Sequence, residues 1–439
     1  MGETGTGIHC SGGGGRMIWA MMFLLLLLML LRAPIAVALG LPALMWLFLQ
    51  DLPLAVATQR IYGTLNNSVL LAVPMFLLAG RLMNLLGVTE RIFDFAMAVV
   101  GHIRGGLGHV VVTASMIFSA MSGSAAADAV GVATITVKAA RERAYDPHFA
   151  AAITLAASAL APIIPPSIIM IIYGATANVS IGKLFVGGVL PGLFFGMVLL
   201  ITVSVLAARR GYPKGEPFSV PRLGRAFKRA FLVLLTPVII IGGIFGGIFT
   251  PTEAATVAVL YVLALGLWYR AASWRAVYRE FVSAGATVGV LLLVVGLSGV
   301  DGWIFTYEQL PVVFADAVSG AVDSQWAVML LLLAIVLVLG MFMDATPVIL
   351  MAAPVMLPLV KAAGLDPVHF GVLFCIMCVI GLVTPPVGVA LYGVATVTKL
   401  PMERVFWAML PFFFALLGGV VLLVFFPQIV TFLPGLLIQ

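Results

Sequence analysis

Two proline clusters interrupt stretches that are otherwise apolar enough to cross a membrane. "APIIPPSIIM" at 161–170 holds Pro162, Pro165 and Pro166, and "GLVTPPVGVA" at 381–390 holds Pro385 and Pro386. A proline inside a helix lacks an N–H and clashes with the carbonyl four residues earlier. Pro165 and Pro166 therefore free the carbonyls of Ala161 and Pro162, and Pro385 and Pro386 free those of Gly381 and Leu382. An unsatisfied carbonyl in hydrocarbon is costly, so something has to satisfy it. A partly dehydrated cation such as Na⁺ suits a set of carbonyl oxygens, and the Thr384 hydroxyl adds another ligand. A single proline of this kind is more often a kink relieved by Ser or water. Paired prolines at matched places favour the broken helices from which transporters build midplane sites.

Short polar tips supply the other side of such a site. In "SGSAAADA", Ser122 and Ser124 offer hydroxyls, Gly123 permits unusual backbone angles, and Asp128 is an acid deep in an apolar context. In "MDATP", Asp344 aligns with Ser124 and is followed by Thr346. Intramembrane acids are functional candidates by default, although an acid there can simply cap a helix. Ser122, Gly123, Ser124, Asp128, Asp344 and Thr346 thus join Ala161, Pro162, Gly381, Leu382 and Thr384 as candidate cation ligands. Ser124, Ser167, Asp344 and Thr346 are also candidate substrate contacts. No Arg or Lys stands at these tips, so an anionic substrate group would meet half-helix N-termini. Asn66, Asn67, Ser68, Ser298 and Asp301 lie near other span ends and read equally well as caps.

The elements that position these residues follow from composition. The chain of 439 residues is 63% hydrophobic and 9% charged, against about 25% charged in soluble domains. Apolar runs such as 231–249, 254–268, 285–300 and 326–343 are of the length that membrane helices need. The fold class is an all-α polytopic membrane protein. The net charge of +6 is concentrated at Arg209, Arg210, Lys214, Arg222, Arg225, Lys228 and Arg229. Short basic loops stay cytoplasmic, so this segment sets topology and is no nucleic-acid patch. Residues 1–16 are polar and glycine-rich and read as a disordered extension, with Met17 a plausible start; Gly2 and Thr6 fit a loose myristoylation pattern.

The chain is also duplicated. "YDPHFAAAITLAASALAPIIPPSIIMIIYG" from Tyr145 and "LDPVHFGVLFCIMCVIGLVTPPVGVALYG" from Leu365 place Asp-Pro and Pro-Pro at an offset of 220 residues. "VLPG" around Pro191 matches "MLPF" around Pro411, and "RAPIAVALGL" resembles "FTPTEAATVAVL". Lys138, Arg141 and Arg143 put the loop before Asp146 inside, whereas the loop before Asp366 is reached from outside and holds only Lys361. That is an inverted-topology repeat. The first repeat spans 17–208, with a re-entrant hairpin at about 106–142 and a broken helix at about 148–178. A basic linker spans 209–229. The second repeat spans 230–439, with a hairpin at about 326–362 and a broken helix at about 367–398. Ten spans and two hairpins put both termini outside.

Other chemistries find little support. Cys375 and Cys378 form a CxxC on one face of an apolar run, without further ligands. No GxxxxGK[ST] is present for an ATP-driven pump. "GLSG" at 296–299 resembles a membrane-protease nucleophile, but the histidines fall near loops or span ends. An ion channel would share hairpins and carbonyl-lined breaks, yet channels usually assemble by rotation rather than from one inverted duplication. No enzyme activity or cofactor is expected.

Several stretches resemble the large membrane subunit of tripartite ATP-independent periplasmic (TRAP) transporters: "VPMFLLAGRLMNLLG", "GHIRGGLGHVVV", "SMIFSAMSGSAAADAVG", "APIIPPSIIM", "GGIFTPTEAA", "DPVHFGVLF" and "GLVTPPVG". They run from about residue 18 to the C-terminus. The resemblance implies a sodium-coupled importer of carboxylates, such as C4-dicarboxylates, keto acids or sugar acids, working by an elevator motion in the bacterial inner membrane. It also implies a small four-helix membrane subunit and a soluble periplasmic substrate-binding protein as partners, besides the lipid bilayer. The first two spans of each half would form the scaffold, and the hairpins and broken helices the moving part.

Overall fold

The computed structural model describes residues 14–31, 33–143, 145–269, 272–319 and 324–438. Among them the only non-helical pairing is an isolated bridge between Arg104 and Lys214. Eight helices are long and apolar enough to span a membrane alone; the remaining crossings combine shorter helices. The protein is an all-α, multi-pass membrane protein.

Each half has the same order of elements. An outer frame comes first: Gly14–Leu30, Ile35–Leu49, Ala55–Leu65 and Ala72–Leu85 in one half, then Val220–Phe245, Pro251–Tyr269 and Trp274–Tyr307 in the other. A short connecting helix follows, Val88–Val100 or Leu310–Ser319. Next come a hairpin (Gly106–Ser122 with Ala125–Glu142, or Gln325–Phe342 with Ala345–Ala362) and a broken helix (Pro147–Ser158 with Ile168–Ala177, or Pro367–Leu382 with Val389–Thr398). The closing helices Ile181–Arg209 and Met402–Phe425 each carry the matched proline, Pro191 or Pro411. One asymmetry is local. The long helix Trp274–Tyr307 is continuous, whereas its counterpart is interrupted at Asn66 and Asn67, where the Asn67 carboxamide accepts from the Val69 N–H at 3.1 Å.

The broken helices form the centre. Every residue from Phe149 to Ser158 and from His369 to Leu382 is buried, while frame helices turn Phe48, Leu267 and Trp268 outward. Hydrocarbon does not drive helices together as water does, so association rests on close packing and small residues. Glycine does this where backbones meet. A Cβ on Gly381 would lie 2.6 Å from the Gly340 carbonyl carbon, and one on Gly371 would lie 2.2 Å from the Tyr173 ring. Packing is crosswise: the second arm of the first hairpin lies on Val389–Thr398, and that of the second hairpin on Ile168–Ala177.

Contacts give the relative sidedness of the halves. Around the basic segment, the Gly105 N–H donates to the Pro213 carbonyl (3.2 Å), the Arg104 guanidinium to the Tyr212 carbonyl (3.1 Å), and Arg210 pairs with Asp146 (3.6 Å). The first broken helix starts on this face at Asp146, whose carboxylate caps the His148 N–H at 2.9 Å. Near its other end, the Tyr173 hydroxyl donates to the Pro367 carbonyl at 3.3 Å. Asp366, which caps the Val368 N–H at 2.7 Å, therefore sits on the opposite face. Equivalent starts on opposite faces make the repeat inverted.

Three boundaries differ from expectation. The tips are tighter than read from sequence, because Ala125–Asp128 continue the hairpin helix instead of lengthening the loop, and only Met343 and Asp344 separate the second pair of arms. The linker is shorter than 209–229: Arg209 still ends a helix, and Ser219 precedes a new one with Pro221 in its first turn. Helix begins at Gly14, within the expected 1–16 extension, whose first thirteen residues lie outside the described ones.

Two outcomes follow. Gly381→Ala should cost about 1–3 kcal/mol through overpacking, lowering the thermal midpoint, whereas Gly242→Ala, whose Cβ meets nothing within 4 Å, should not. In a Cys-free background, Gly211→Cys and Gly364→Cys should react with a membrane-impermeant thiol reagent from opposite sides; labelling from one side would refute the inversion.

Candidate functional site at the hairpin tips and helix breaks

At the first tip, Ser122 ends one helix, Gly123 turns the chain with φ +63°, and Ser124 is the N-cap residue of the next. The turn requires glycine twice over, since a Cβ there would also stand 2.8 Å from the Pro166 carbonyl oxygen. This tight turn brings the Ser122 hydroxyl to Asp128, to which it donates at 2.7 Å. The other carboxylate oxygen, Oδ1, is buried without a partner among the described residues. Asp128 is thus no cap; it sits one turn into the helix, buried, with one carboxylate oxygen unpartnered among the described residues. The tip also touches the frame, where the Cβ position of Gly80 lies 3.3 Å from the Ser122 Cα.

The first break is longer than the second, for a reason in the sequence. Pro162 has no counterpart, and it clashes with the carbonyl four residues back, which is that of Ser158, where the helix ends. Residues 159–167 then run as turns, Pro165–Pro166 being cis. Neither the Ala161 nor the Pro162 carbonyl accepts a hydrogen bond from a described residue. Ser167 is fully buried, and its hydroxyl accepts from the Met170 N–H at 3.3 Å, capping the following half-helix.

At the second tip Asp344 occupies the place of Ser124. Its carboxylate accepts from the Ala345 N–H at 2.9 Å, while Thr346 sits half-buried in the first turn. The second break, 383–388, includes cis Pro385–Pro386 and is held to its tip by main-chain bonds: the N–H groups of Val387 (3.3 Å) and Gly388 (3.2 Å) both donate to the Met341 carbonyl. One expectation fails here. The Gly381 carbonyl is not free, because the last turn tightens and it accepts from Val383 and, at 2.9 Å, from Thr384. The Leu382 carbonyl has no such donor. The buried Thr384 hydroxyl donates to the Ile380 carbonyl at 2.6 Å, leaving its lone pairs available.

The sequence candidates thus sort into two related assemblies, each a tip against the break of its own repeat. The first holds Ser122, Gly123, Ser124 and Asp128 with Ala161, Pro162, Pro165, Pro166 and Ser167; the second holds Asp344 and Thr346 with Leu382, Thr384, Pro385 and Pro386. Hydroxyl, carboxylate and carbonyl oxygens are the donors that suit a hard, partly dehydrated cation. Four half-helices begin at the tips and breaks, so the partial positive charge of their N-termini faces the same region.

A separate cavity of about 350 Å³ lies between frame and centre, lined by Thr64, Asn67 and Ser298 on one side and Thr176, Asn178 and Pro354 on the other. Thr64, Thr176 and Asn178 were not legible as site residues; Asn178 ends its half-helix in the left-handed region (φ 52°). The Ser298 hydroxyl donates to its own helix, to the Val295 carbonyl at 2.7 Å, and no described histidine reaches it. The protease reading therefore lacks its base. Asp301 is fully buried with both oxygens unpartnered among the described residues.

Ser122→Ala would leave both Asp128 oxygens without a partner. It should destabilise the protein by about 1–3 kcal/mol, measurable as a lower thermal midpoint; an unchanged midpoint would mean that the pair contributes nothing.

Comparison with known proteins agrees with this architecture. Residues 22–429 match the family described as "Tripartite ATP-independent periplasmic transporter, DctM component". The chain is 42% identical over 384 residues to the sialic acid TRAP transporter large permease protein SiaM of Vibrio cholerae, covering 87% of this chain and 89% of that one. It is 38% identical over 401 residues to the 2,3-diketo-L-gulonate TRAP transporter large permease protein YiaN of Escherichia coli, covering 90% and 94%. The solved YdaH transporter of Alcanivorax borkumensis, described as having an unusual topology, superposes with a TM-score of 0.60 at 15% identity over 94% of this chain and 97% of that one, a likeness of fold alone. By its sequence and its paired hairpins and broken helices, the chain belongs to the DctM component family of the TRAP transporters.

Proposed function

We propose that this chain is the translocating subunit of a sodium-driven importer of carboxylates, working by an elevator motion in the bacterial inner membrane. The observation that carries the reading is the set of buried oxygens left open at the tips and breaks: Asp128 Oδ1, the Ala161, Pro162 and Leu382 carbonyls, and the Thr384 hydroxyl. A low-dielectric site holding such oxygens favours a cation that has shed its water. Na⁺ here is a transported coupling ion, and no cofactor is needed. The substrate carboxylate meets the half-helix N-termini, with Ser124, Ser167, Asp344 and Thr346 as its nearest polar side chains. Sialic acid and 2,3-diketo-L-gulonate, named for the relatives above, are both sugar acids, and we place this chain's substrate in that class or among other small carboxylates.

The elevator reading draws on the buried centre packed within a frame and on the cavity between them, where frame residues Thr64, Asn67 and Ser298 face Thr176, Asn178 and Pro354. Partners are a small membrane subunit and a periplasmic binding protein that delivers the substrate. The second reading is proton coupling through Asp128 and Asp344, both acids at the tips.

Thermal unfolding in NaCl, KCl and choline chloride at equal ionic strength separates the two. A bound ion stabilises the native state by about 2.7 kcal/mol at a hundredfold excess over Kd. A Na⁺-specific rise that shrinks in Thr384→Ala and Ser124→Ala is expected. Identical midpoints in the three salts would reject sodium and leave proton coupling. In vesicles, uptake should require both partners, and a saturable flux without the binding protein would argue for a different mechanism.

A further inference from the structure

A groove runs along the basic face of the frame, between the connecting helix Val88–Val100 and the first turns of Val220–Phe245. Its two parts have volumes of about 500 and 200 Å³ and share Asp94 and Arg229. Arg222, Arg225 and Arg229 recur at helical spacing along one wall, and Arg91 stands on the other. Glu90 and Asp94 also line it, and Glu216 pairs with Arg222. Among the described residues, neither Arg225 nor Arg229 has a carboxylate within salt-bridge reach.

This arrangement is electrostatically unfavourable as it stands. Three arginines and Lys228 crowd the first turns of a helix, the positive end of its dipole, where cations are disfavoured. The need for positive charge on the cytoplasmic side explains their number but not their alignment along a groove. Depth supplies the second observation. The Arg91 guanidinium lies 3.8 Å above the Tyr269 ring and donates to the Arg229 carbonyl. Trp268, adjacent to Tyr269 in the chain, is 76% exposed, as aromatic side chains at a membrane interface are. Phe227 and Phe231, on the same helix as the arginines, are also exposed, so the guanidinium groups border an acyl-chain surface.

We propose that this groove binds the phosphate group of an anionic membrane lipid, with Arg225 and Arg229 as its principal ligands and Arg91 and Arg222 beside them. The lipid bridges the frame helix to the connecting helix that leads through Gly101–Gly105 into the first hairpin. The inference is independent of the coupling ion and of the substrate.

The test uses the full chain purified in a neutral detergent and titrated with phosphatidylglycerol, phosphatidylcholine or inorganic phosphate, read by thermal midpoint. Phosphatidylglycerol should raise the midpoint and phosphatidylcholine should not. Each arginine that contacts an anionic headgroup contributes roughly a factor of five to binding, so Arg225→Gln with Arg229→Gln should shift the titration about twenty-five-fold to higher lipid. Arg275→Gln with Arg279→Gln, which removes as much charge outside the groove, should leave it unchanged. Equal titrations in both double variants would overturn the proposal. Inorganic phosphate reproducing the full shift would overturn the lipid assignment in favour of a soluble anion. Should the groove variant fail to fold, Asp94→Asn decides, because removing an acid from the groove must tighten lipid binding; unchanged or weaker binding would refute the site.

Discussion

Backbone carbonyls cannot be left bare in hydrocarbon, and most of this architecture follows from how that demand is met. Each proline cluster breaks a central helix at depth and releases main-chain oxygens that water cannot reach. A hairpin entering from one face brings a polar tip against each break, and the frame closes around the pair. The inversion of the repeat lets two such tips approach from opposite faces, the first from the side of Asp146 and the second from the side of Asp366. The oxygens that remain open among the described residues are those of Asp128, Ala161, Pro162 and Leu382.

The same environment dictates how the helices hold together. Lipid offers apolar side chains no less than a protein core does, so packing has to come from close backbone approach. Gly340 against Gly381 and Gly371 under Tyr173 are such approaches, and they lie within the central assembly rather than between it and the frame. The frame has its own cluster at one end of Trp274–Tyr307, built from Trp46, Leu47, Ala57, Ile304 and Phe305. Elsewhere frame and centre share one continuous apolar core, in which Phe76, Ala254 and Val262 pack with Phe149 and Phe374, and the polar cavity lies along part of their boundary.

Much of this was legible in the sequence because proline, glycine and aspartate act locally. The offset of the Asp-Pro and Pro-Pro pairs exposed the duplication, and basic residues gave its orientation. What escaped depended on distance in the chain. The Gly381 carbonyl read as free because a proline four residues on removes its ordinary donor, yet a tightened last turn supplies Val383 and Thr384 instead. Asp128 read as a possible helix cap because a run of alanines has no visible boundary; the αL turn at Gly123 starts the helix earlier and puts the acid inside it. The cavity walls at Thr64 and Thr176 come from opposite bodies, and no local pattern joins them. The arginine groove was visible only as net charge, since its alignment needs the connecting helix opposite.

The two tips are not fastened alike. In the second half, the Val387 and Gly388 N–H groups both end on the Met341 carbonyl, so tip and break are joined by main-chain bonds. In the first half, Gly123 only lies against Pro166 and Ile168, and the Ser122 hydroxyl turns inward to Asp128 of its own hairpin. A pseudo-symmetric molecule thus carries one joint made by main-chain hydrogen bonds and one made by contact alone. Parting the second hairpin from its break severs two main-chain hydrogen bonds, whereas parting the first severs none among the described residues.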